Sequence, residues 1–231
     1  MENGNEKKFE LRSHKIGVRN LLFSSCGEFL VSQGCDEERT LIVWDIKSGS
    51  LIKTTVCPIQ YSGISLINSD RESKLMFATV GKEAFRLWKV DYNYELLFFD
   101  VELPEPDLNL TAVSVTPVIG NPYNSSVVLI GTEEGDVIIS NPENVQFLAK
   151  VNNVMKSEIT LIECKGNAIL LADGVGNIVR HTINPDEPLF TEAGIIIALD
   201  GPVSAISFDE NLFEGHIGTE NNSFICDCQS T

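Results

Sequence analysis

The hydrophobic pattern of the chain consists of short apolar and β-branched runs rather than a helical period. Five of these runs have the same shape, namely residues 40–45, 84–89, 136–141, 177–182 and 222–227. Taking positions 44, 88, 140, 181 and 226 as equivalent gives spacings of 44, 52, 41 and 45 residues. A spacing near 40–45 residues leaves room for four short strands and their turns. The pattern therefore predicts a repeated all-β unit.

Two further strands are predicted ahead of each of these runs. The nearer strand ends at a small residue and covers residues 29–34, 75–81, 127–131, 168–172 and 216–218. The farther strand alternates apolar and polar residues and covers 18–23, 62–67, 111–115, 158–162 and 203–208. The one long interval holds Pro104, Pro106, Pro117 and the polar stretch 121–126, which are typical of surface loop insertions.

In the first repeat, His14 precedes a strand, residues 24–27 form a predicted turn, and Trp44 and Asp45 close the third strand. This arrangement resembles the WD-repeat β-propeller family, in which residues 24–27 would occupy the position of the usual Ser-Pro-Asp-Gly turn. In that family a His, a strand Ser or Thr, a turn Asp and the Trp form a buried hydrogen-bonded group. The matching positions here are His14, Ser32, Asp36 (or Glu37) and Trp44. The resemblance implies an all-β fold of about five four-stranded propeller blades.

One branch of the family is more similar than the others. Residues 30–45, 130–139 and 199–208 resemble repeats of cilia- and flagella-associated and centriolar WD-repeat proteins. This resemblance implies a scaffold in microtubule assemblies of the cilium, flagellum or centriole, with tubulin or axonemal or centriolar proteins as candidate partners. The alternative is a general adaptor propeller in a ubiquitin-ligase or trafficking complex without a microtubule link.

The repeat count leaves two architectures open. Residues 1–7 are expected to be a flexible N-terminus and residues 8–231 the propeller region. Five units could close into a small ring if residues 8–12 supplied the outer strand of the last blade. The competing interpretation is that the chain is part of a larger propeller in a longer protein.

The charge of the chain narrows the class of partner. Acidic residues outnumber basic ones 33 to 17, for a net charge of −16. Nucleic-acid binders concentrate Lys and Arg to neutralise phosphates, so neither nucleic acid nor an anionic membrane is expected as a partner. No secretory signal or apolar membrane span is present in the sequence, which favours a cytoplasmic location. In that compartment the six cysteines are expected to be reduced thiols. They show no paired Cys-x-x-Cys spacing, so a structural zinc is not expected.

Catalytic motifs are not found in the sequence. It has no P-loop and no Gly-x-Ser-x-Gly elbow, and its three His residues share no motif. We therefore expect no enzyme activity, cofactor or metal, and binding through exposed turns at the rims of the blades. The candidate rim residues, besides Asp36, are Glu37, Glu38, Arg39, Lys82, Glu83, Glu133, Glu134, Asn221 and Asn222.

Overall fold

The computed structural model describes residues 10–67, 73–117, 126–142, 146–165, 168–183, 190–208, 214–219 and 223–227. Nineteen strands are assigned in this part of the chain, and they form five antiparallel sheets of consecutive strands. The first sheet contains β1 (Val18–Phe23), β2 (Phe29–Gly34), β3 (Thr40–Asp45) and β4 (Ser50–Val56). The second contains β5 (Tyr61–Ile67), β6 (Ser73–Gly81), β7 (Ala84–Asp91) and β8 (Leu96–Val101).

The remaining three sheets follow the same order along the chain. The third contains β9 (Leu110–Pro117), β10 (Ser126–Thr132), β11 (Val137–Asn141) and β12 (Gln146–Val151). The fourth contains β13 (Ile159–Lys165), β14 (Ala168–Asp173), β15 (Asn177–Ile183) and β16 (Phe190–Ala198). The fifth has three strands within the described residues, β17 (Val203–Phe208), β18 (Glu214–Thr219) and β19 (Ser223–Asp227). The predicted all-β repeat is confirmed, with the five aligned runs forming the third strands.

The turn between the second and third strands has the same backbone geometry in the first four sheets, which accounts for the regular position of the aligned third-strand residues. In the first four sheets it contains a residue with positive φ: Arg39 (48°), Glu83 (54°), Gly135 (84°) and Gly176 (102°). Each of these residues comes five positions before an aligned third-strand residue, Trp44, Trp88, Ser140 or His181 respectively. All four third-strand residues are buried. The repeat is therefore defined by backbone geometry as well as by residue type.

Clustering of contacts divides the chain into two compact units. The first consists of Met1–Gln60, Asn68–Met76 and Lys89–Leu97, and the second of Tyr61–Ile67, Phe77–Trp88 and Phe98–Thr231. In the first unit, Leu30, Ile42 and Trp44 form a buried cluster, against which Leu11 and Ile46 pack.

Apolar side chains fill the space between successive sheets of the second unit. One cluster joins the third sheet, through residues such as Leu129 and Ile139, to Ile162 and Leu171 of the fourth. Another joins Leu170 and Ile178, on the opposite face of the fourth sheet, to Phe208 of the fifth. The fourth sheet thus buries one face against the preceding sheet and the other against the following one.

Hydroxyl groups in the innermost strands reinforce this packing. The second residue of each strand donates to the carbonyl of the first residue of the next innermost strand: Ser62 to Leu110 (2.7 Å), Thr111 to Ile159 (2.5 Å) and Thr160 to Val203 (3.3 Å). Ser204, at the same position in β17, donates to Gly218 within its own sheet (3.2 Å). Three of these hydroxyls therefore form a ladder of hydrogen bonds between sheets.

The N-terminal segment does not form the predicted strand at residues 10–12. Residues 10–12 lie in no strand, and Leu11 packs on the Trp44 cluster of the first sheet. The expectation that residues 8–12 supply the outer strand of the last sheet is therefore wrong for residues 10–12. Residues 8 and 9, like the predicted flexible segment 1–7, lie outside the described residues. The choice between a closed ring and a part of a larger propeller stays a prediction.

Candidate functional site

A buried hydrogen-bonded group lies in the first sheet. Trp44 Nε1 donates to Ser32 Oγ at 2.8 Å, and His14 Nε2 lies 2.7 Å from the same hydroxyl. Ser32 and Trp44 lie on neighbouring strands, two residues apart in register, because Ser32 in β2 pairs with Ile42 and Leu30 pairs with Trp44. The group therefore connects the N-terminal segment to the second and third strands.

The acid of this group is Glu38, which corrects the expectation of Asp36 or Glu37. Glu38 Oε1 lies 3.3 Å from His14 Nδ1 and accepts from Thr40 Oγ1 at 3.1 Å. Its Oε2 accepts from the backbone N–H groups of Lys15 (3.1 Å) and Ile16 (3.3 Å). The Thr40 hydroxyl also lies 3.2 Å from His14 Nδ1, so this side of the histidine ring contacts both the carboxylate and the hydroxyl.

Turn geometry decides which acid faces inward. The N–H groups of Glu38 and Arg39 both donate to the Cys35 carbonyl, which winds residues 35–39 into a tight loop. Asp36 and Glu37 are exposed, and Asp36 accepts from Arg19 Nη1 at 2.6 Å. The Glu38 side chain instead turns inward and is only 9% exposed.

The surroundings of Glu38 keep its carboxyl ionised. Burial by itself raises the pKa of the Glu38 carboxyl, but the N–H groups of Ile16 and Lys15 stabilise the charged form. The Thr40 hydroxyl and the charge of His14 act in the same direction as these N–H groups. The net result is a pKa below the ordinary value of 4.5.

The second sheet keeps half of this arrangement. Trp88 Nε1 donates to Thr79 Oγ1 at 2.8 Å, the same pairing as Trp44 with Ser32. The Trp88 ring stacks on Phe77 and meets the edge of Tyr61. In the third and fourth sheets, Ser140 and His181 replace the Trp, so the Trp–hydroxyl pair is confined to the first two sheets among the described residues.

A solved structure shares this architecture. The β-propeller domain of Cps50 (Swd1) from Myceliophteria thermophila superposes with a TM-score of 0.74. The match covers 95% of this chain and 72% of that chain, at 16% sequence identity. This chain consists of β-propeller blades.

Relatives in sequence are cilium and centriole proteins. The chain is 33% identical to centriole proteome protein 16 of Chlamydomonas reinhardtii, over 92% of this chain and 11% of that protein. It is 24% identical to human cilia- and flagella-associated protein 52, over 92% of this chain and 33% of that protein. The chain thus spans about a third or less of these two relatives. The resemblance to ciliary and centriolar WD-repeat proteins is confirmed, although no protein-family model matches the chain.

The candidate rim turns lie where the second and third strands of a blade meet. Glu83 N–H donates to the Leu108 carbonyl (2.9 Å), and Lys82 forms an isolated bridge with Asn109. Glu133 accepts from Asn109 Nδ2 at 2.6 Å, while Glu134 is exposed. The Lys82–Glu83 turn therefore contacts the segment just before the first strand of the next blade, whereas Glu133 contacts the same segment within its own blade.

The remaining rim candidates differ in where their side chains lie. Arg39 is exposed and donates to the Pro58 carbonyl at 3.3 Å. Glu38 is not a rim residue, because its carboxylate points into the His14 group. Asn221 and Asn222 lie outside the described residues.

Sequence reasoning missed the exposed apolar residues of the blades. Leu21 and Phe23 in β1, and Phe98 and Phe99 in β8, are all about half exposed. Alternation in residues 18–23 predicted a strand but not which of its faces would remain uncovered. The adjacent Phe98 and Phe99 were a signal, because neighbouring residues on a strand point to opposite faces and cannot both face one core.

Within the described ranges, no group of three or more His, Cys, Asp or Glu side chains is placed to hold a metal ion. None of the same residues forms a helix long and apolar enough to cross a membrane. The described residues form β-sheet blades with exposed turns between their strands.

Proposed function

We propose that this chain is a non-catalytic protein-interaction scaffold in microtubule assemblies of the cilium, flagellum or centriole. The observation that carries the proposal is the similarity to centriole proteome protein 16, which extends over 92% of this chain. Similarity to cilia- and flagella-associated protein 52 covers the same share of the chain. Both names belong to one cell-biological setting, whereas the fold by itself serves many.

The structure is consistent with binding rather than chemistry. Hydrogen bonds, such as those of Glu38 and Trp44, hold the first blade rigidly, and rigid blades present loops in fixed positions. The net charge of −16 favours partners with basic surfaces, because complementary charge steers association. Axonemal or centriolar proteins with such surfaces are therefore the proposed partners, in a cytoplasmic location.

Localisation in ciliated cells tests this proposal. The full chain, fused to a fluorescent tag, should concentrate at axonemes or centrioles and remain there after detergent extraction. The propeller domain of Cps50 (Swd1) is the matched control, because it has the same fold with only 16% sequence identity. We expect the control to be extracted.

Two results would contradict the proposal. The first is a diffuse signal that detergent removes as completely as it removes the control. The second is a proximity-labelling profile that contains ubiquitin-ligase or trafficking subunits and no ciliary or centriolar protein. This second profile would favour the general adaptor propeller instead.

A further inference from the structure

An aspartate followed directly by a glycine is a reactive pair in a protein chain. The amide nitrogen of the glycine can attack the aspartate side chain, because glycine has no Cβ to crowd the approach. The reaction requires a carboxyl group that is free to rotate toward this nitrogen and an N–H group that no other acceptor holds. The chain contains two such pairs, Asp173–Gly174 and Asp200–Gly201, and their surroundings differ in both respects.

The Asp173–Gly174 pair, at the end of β14, is held in an unreactive arrangement. Asp173 is only 1% exposed. Its Oδ1 accepts from the N–H groups of Val175 (3.1 Å) and Asn177 (2.8 Å), and its Oδ2 accepts from Asn177 Nδ2 at 2.8 Å. The N–H group of Gly174 donates to the Glu158 carbonyl at 2.9 Å. Both reacting groups therefore have other partners, and the reaction has to break these hydrogen bonds first.

The Asp200–Gly201 pair, in the connection between β16 and β17, is open on its solvent side. Asp200 is exposed, and among the described residues its carboxylate takes part in no hydrogen bond or ion pair. Beyond its chain neighbours, no heavy atom lies within 4 Å of the position that a Cβ on Gly201 would take. The carboxyl group of Asp200 thus has the rotational freedom that the carboxyl group of Asp173 lacks.

We propose that Asp200 and Gly201 are a site of spontaneous isoaspartate formation. Gly201 N forms a bond to Asp200 Cγ, and the amide proton leaves with the carboxyl hydroxyl as water, which gives a succinimide ring. Water then opens the ring at either carbonyl. Opening at Cγ restores the original linkage, whereas opening at the Asp200 main-chain carbonyl breaks its bond to Gly201 N and leaves the chain connected through the side chain. The water lost is regained, so the mass is unchanged and no oxidant or reductant takes part.

The new linkage lengthens the main chain where the fifth blade joins the fourth. Leu199 N–H donates to the Gly176 carbonyl at 2.9 Å, and the carbonyl oxygens of Leu199 and Gly201 lie close against Gly176. On the other side of the pair, Val203 is 2% exposed and packs with Leu170 of the fourth blade. An isoaspartate inserts one more main-chain carbon between these two fixed points and displaces one of them. We therefore expect it to weaken the packing of β17 on the fourth blade.

Peptide mapping of the purified full chain after incubation at physiological temperature and pH tests the site. Electron-transfer fragmentation distinguishes the two linkages in the peptide that contains Asp200. Isoaspartate should accumulate there at least about tenfold faster than at Asp173, the ratio that a barrier difference of about 1.4 kcal/mol produces. In concentrated urea the two pairs should react at similar rates, because the hydrogen bonds of Asp173 are lost.

A conservative variant provides the matched control. Asp200→Glu keeps the charge at an exposed position, but its longer side chain forms the corresponding ring far more slowly, so the modification should be lost. Hydrogen exchange of β17 should be faster in the incubated original chain than in the incubated Asp200→Glu variant. Asn3–Gly4, outside the described residues, forms isoaspartate by releasing ammonia, and the resulting change in mass identifies that peptide separately.

Three results would overturn the proposal. The first is an Asp200 peptide that stays free of isoaspartate in the folded chain while the chain in urea accumulates it. The second is equal accumulation at Asp173 and Asp200 in the folded chain, which would mean that the hydrogen bonds of Asp173 give no protection. The third, which concerns the effect on the blades, is hydrogen exchange of β17 that is the same in the modified chain and in Asp200→Glu.

Discussion

Single residues in the first blade have roles that their position in a turn determines. Asp36, Glu37 and Glu38 are three consecutive acids, yet Glu38 is the one that reaches His14. Residues 35–39 form a loop closed on the Cys35 carbonyl, and the third acid of this loop points toward the sheet. Glu38 therefore takes the place that the WD-repeat resemblance assigned to a turn Asp, while Asp36 pairs with Arg19 at the surface.

This difference between neighbouring acids predicts a pH-dependent effect at the residue scale. Glu38→Gln should lower the free energy of unfolding at pH 7 by roughly 1.5–3 kcal/mol, because it weakens hydrogen bonds to a charged group. The pKa of Glu38 is lowered in the folded state, so its stabilisation is fully present above the ordinary value of 4.5. It is lost as the pH falls through the lower, folded-state pKa.

Urea unfolding at several pH values measures this effect. The gap between the original chain and Glu38→Gln should narrow as the pH drops below 4.5. Asp36→Asn is the matched control, because the Asp36 side chain is 52% exposed and surface substitutions change stability by less than about 0.5 kcal/mol. Equal effects of the two substitutions would mean that Glu38 is not the acid of the buried group.

At the scale of a structural element, we expect that replacing the glycine in the turn between the second and third strands of the third blade lowers the free energy of unfolding. Gly135 has a φ of 84°, and a Cβ there would overlap the Met155 carbonyl oxygen. Gly135→Ala should cost roughly 2–4 kcal/mol, from left-handed backbone strain together with the steric overlap. Gly27 is the control: its φ is 71° but nothing lies within 4 Å of the position that a Cβ would take, so Gly27→Ala should cost about 1 kcal/mol. Chemical denaturation compares the two variants, and equal losses would rule out the overlap.

The hydroxyl ladder between blades gives a second prediction for the elements. Thr111→Val removes the hydrogen bond to the Ile159 carbonyl while nearly preserving side-chain volume, and should cost about 0.5–1.5 kcal/mol. Ser204→Ala should cost less, because the Ser204 hydroxyl is exposed and donates within its own blade. Urea midpoints of the two variants provide the measurement. A larger effect at Ser204 would show that the ladder does not stabilise the packing of blades.

Local patterns in the sequence predicted the strands but not how their faces are covered. β-branched runs and their regular spacing placed the third strands, because both signals arise from the repeated blade itself. The choice of Glu38 depended on the winding of residues 35–39, which a residue count does not determine. The exposure of Leu21 and Phe23 depends on a neighbouring face, and alternation along β1 contains no information about that neighbour.

The charge of the whole molecule makes its stability depend on salt. With 33 acidic and 17 basic residues, the compact state repels itself, and this repulsion weakens as the screening length shortens. The urea midpoint should therefore rise as sodium chloride is increased from about 50 mM to about 500 mM, over which the Debye length falls several-fold. Glu134→Lys, at an exposed turn, should raise the midpoint at low salt and flatten the salt dependence. A midpoint that stays constant or falls with salt would mean that local ion pairs, such as Arg86 with Asp100, outweigh the net repulsion.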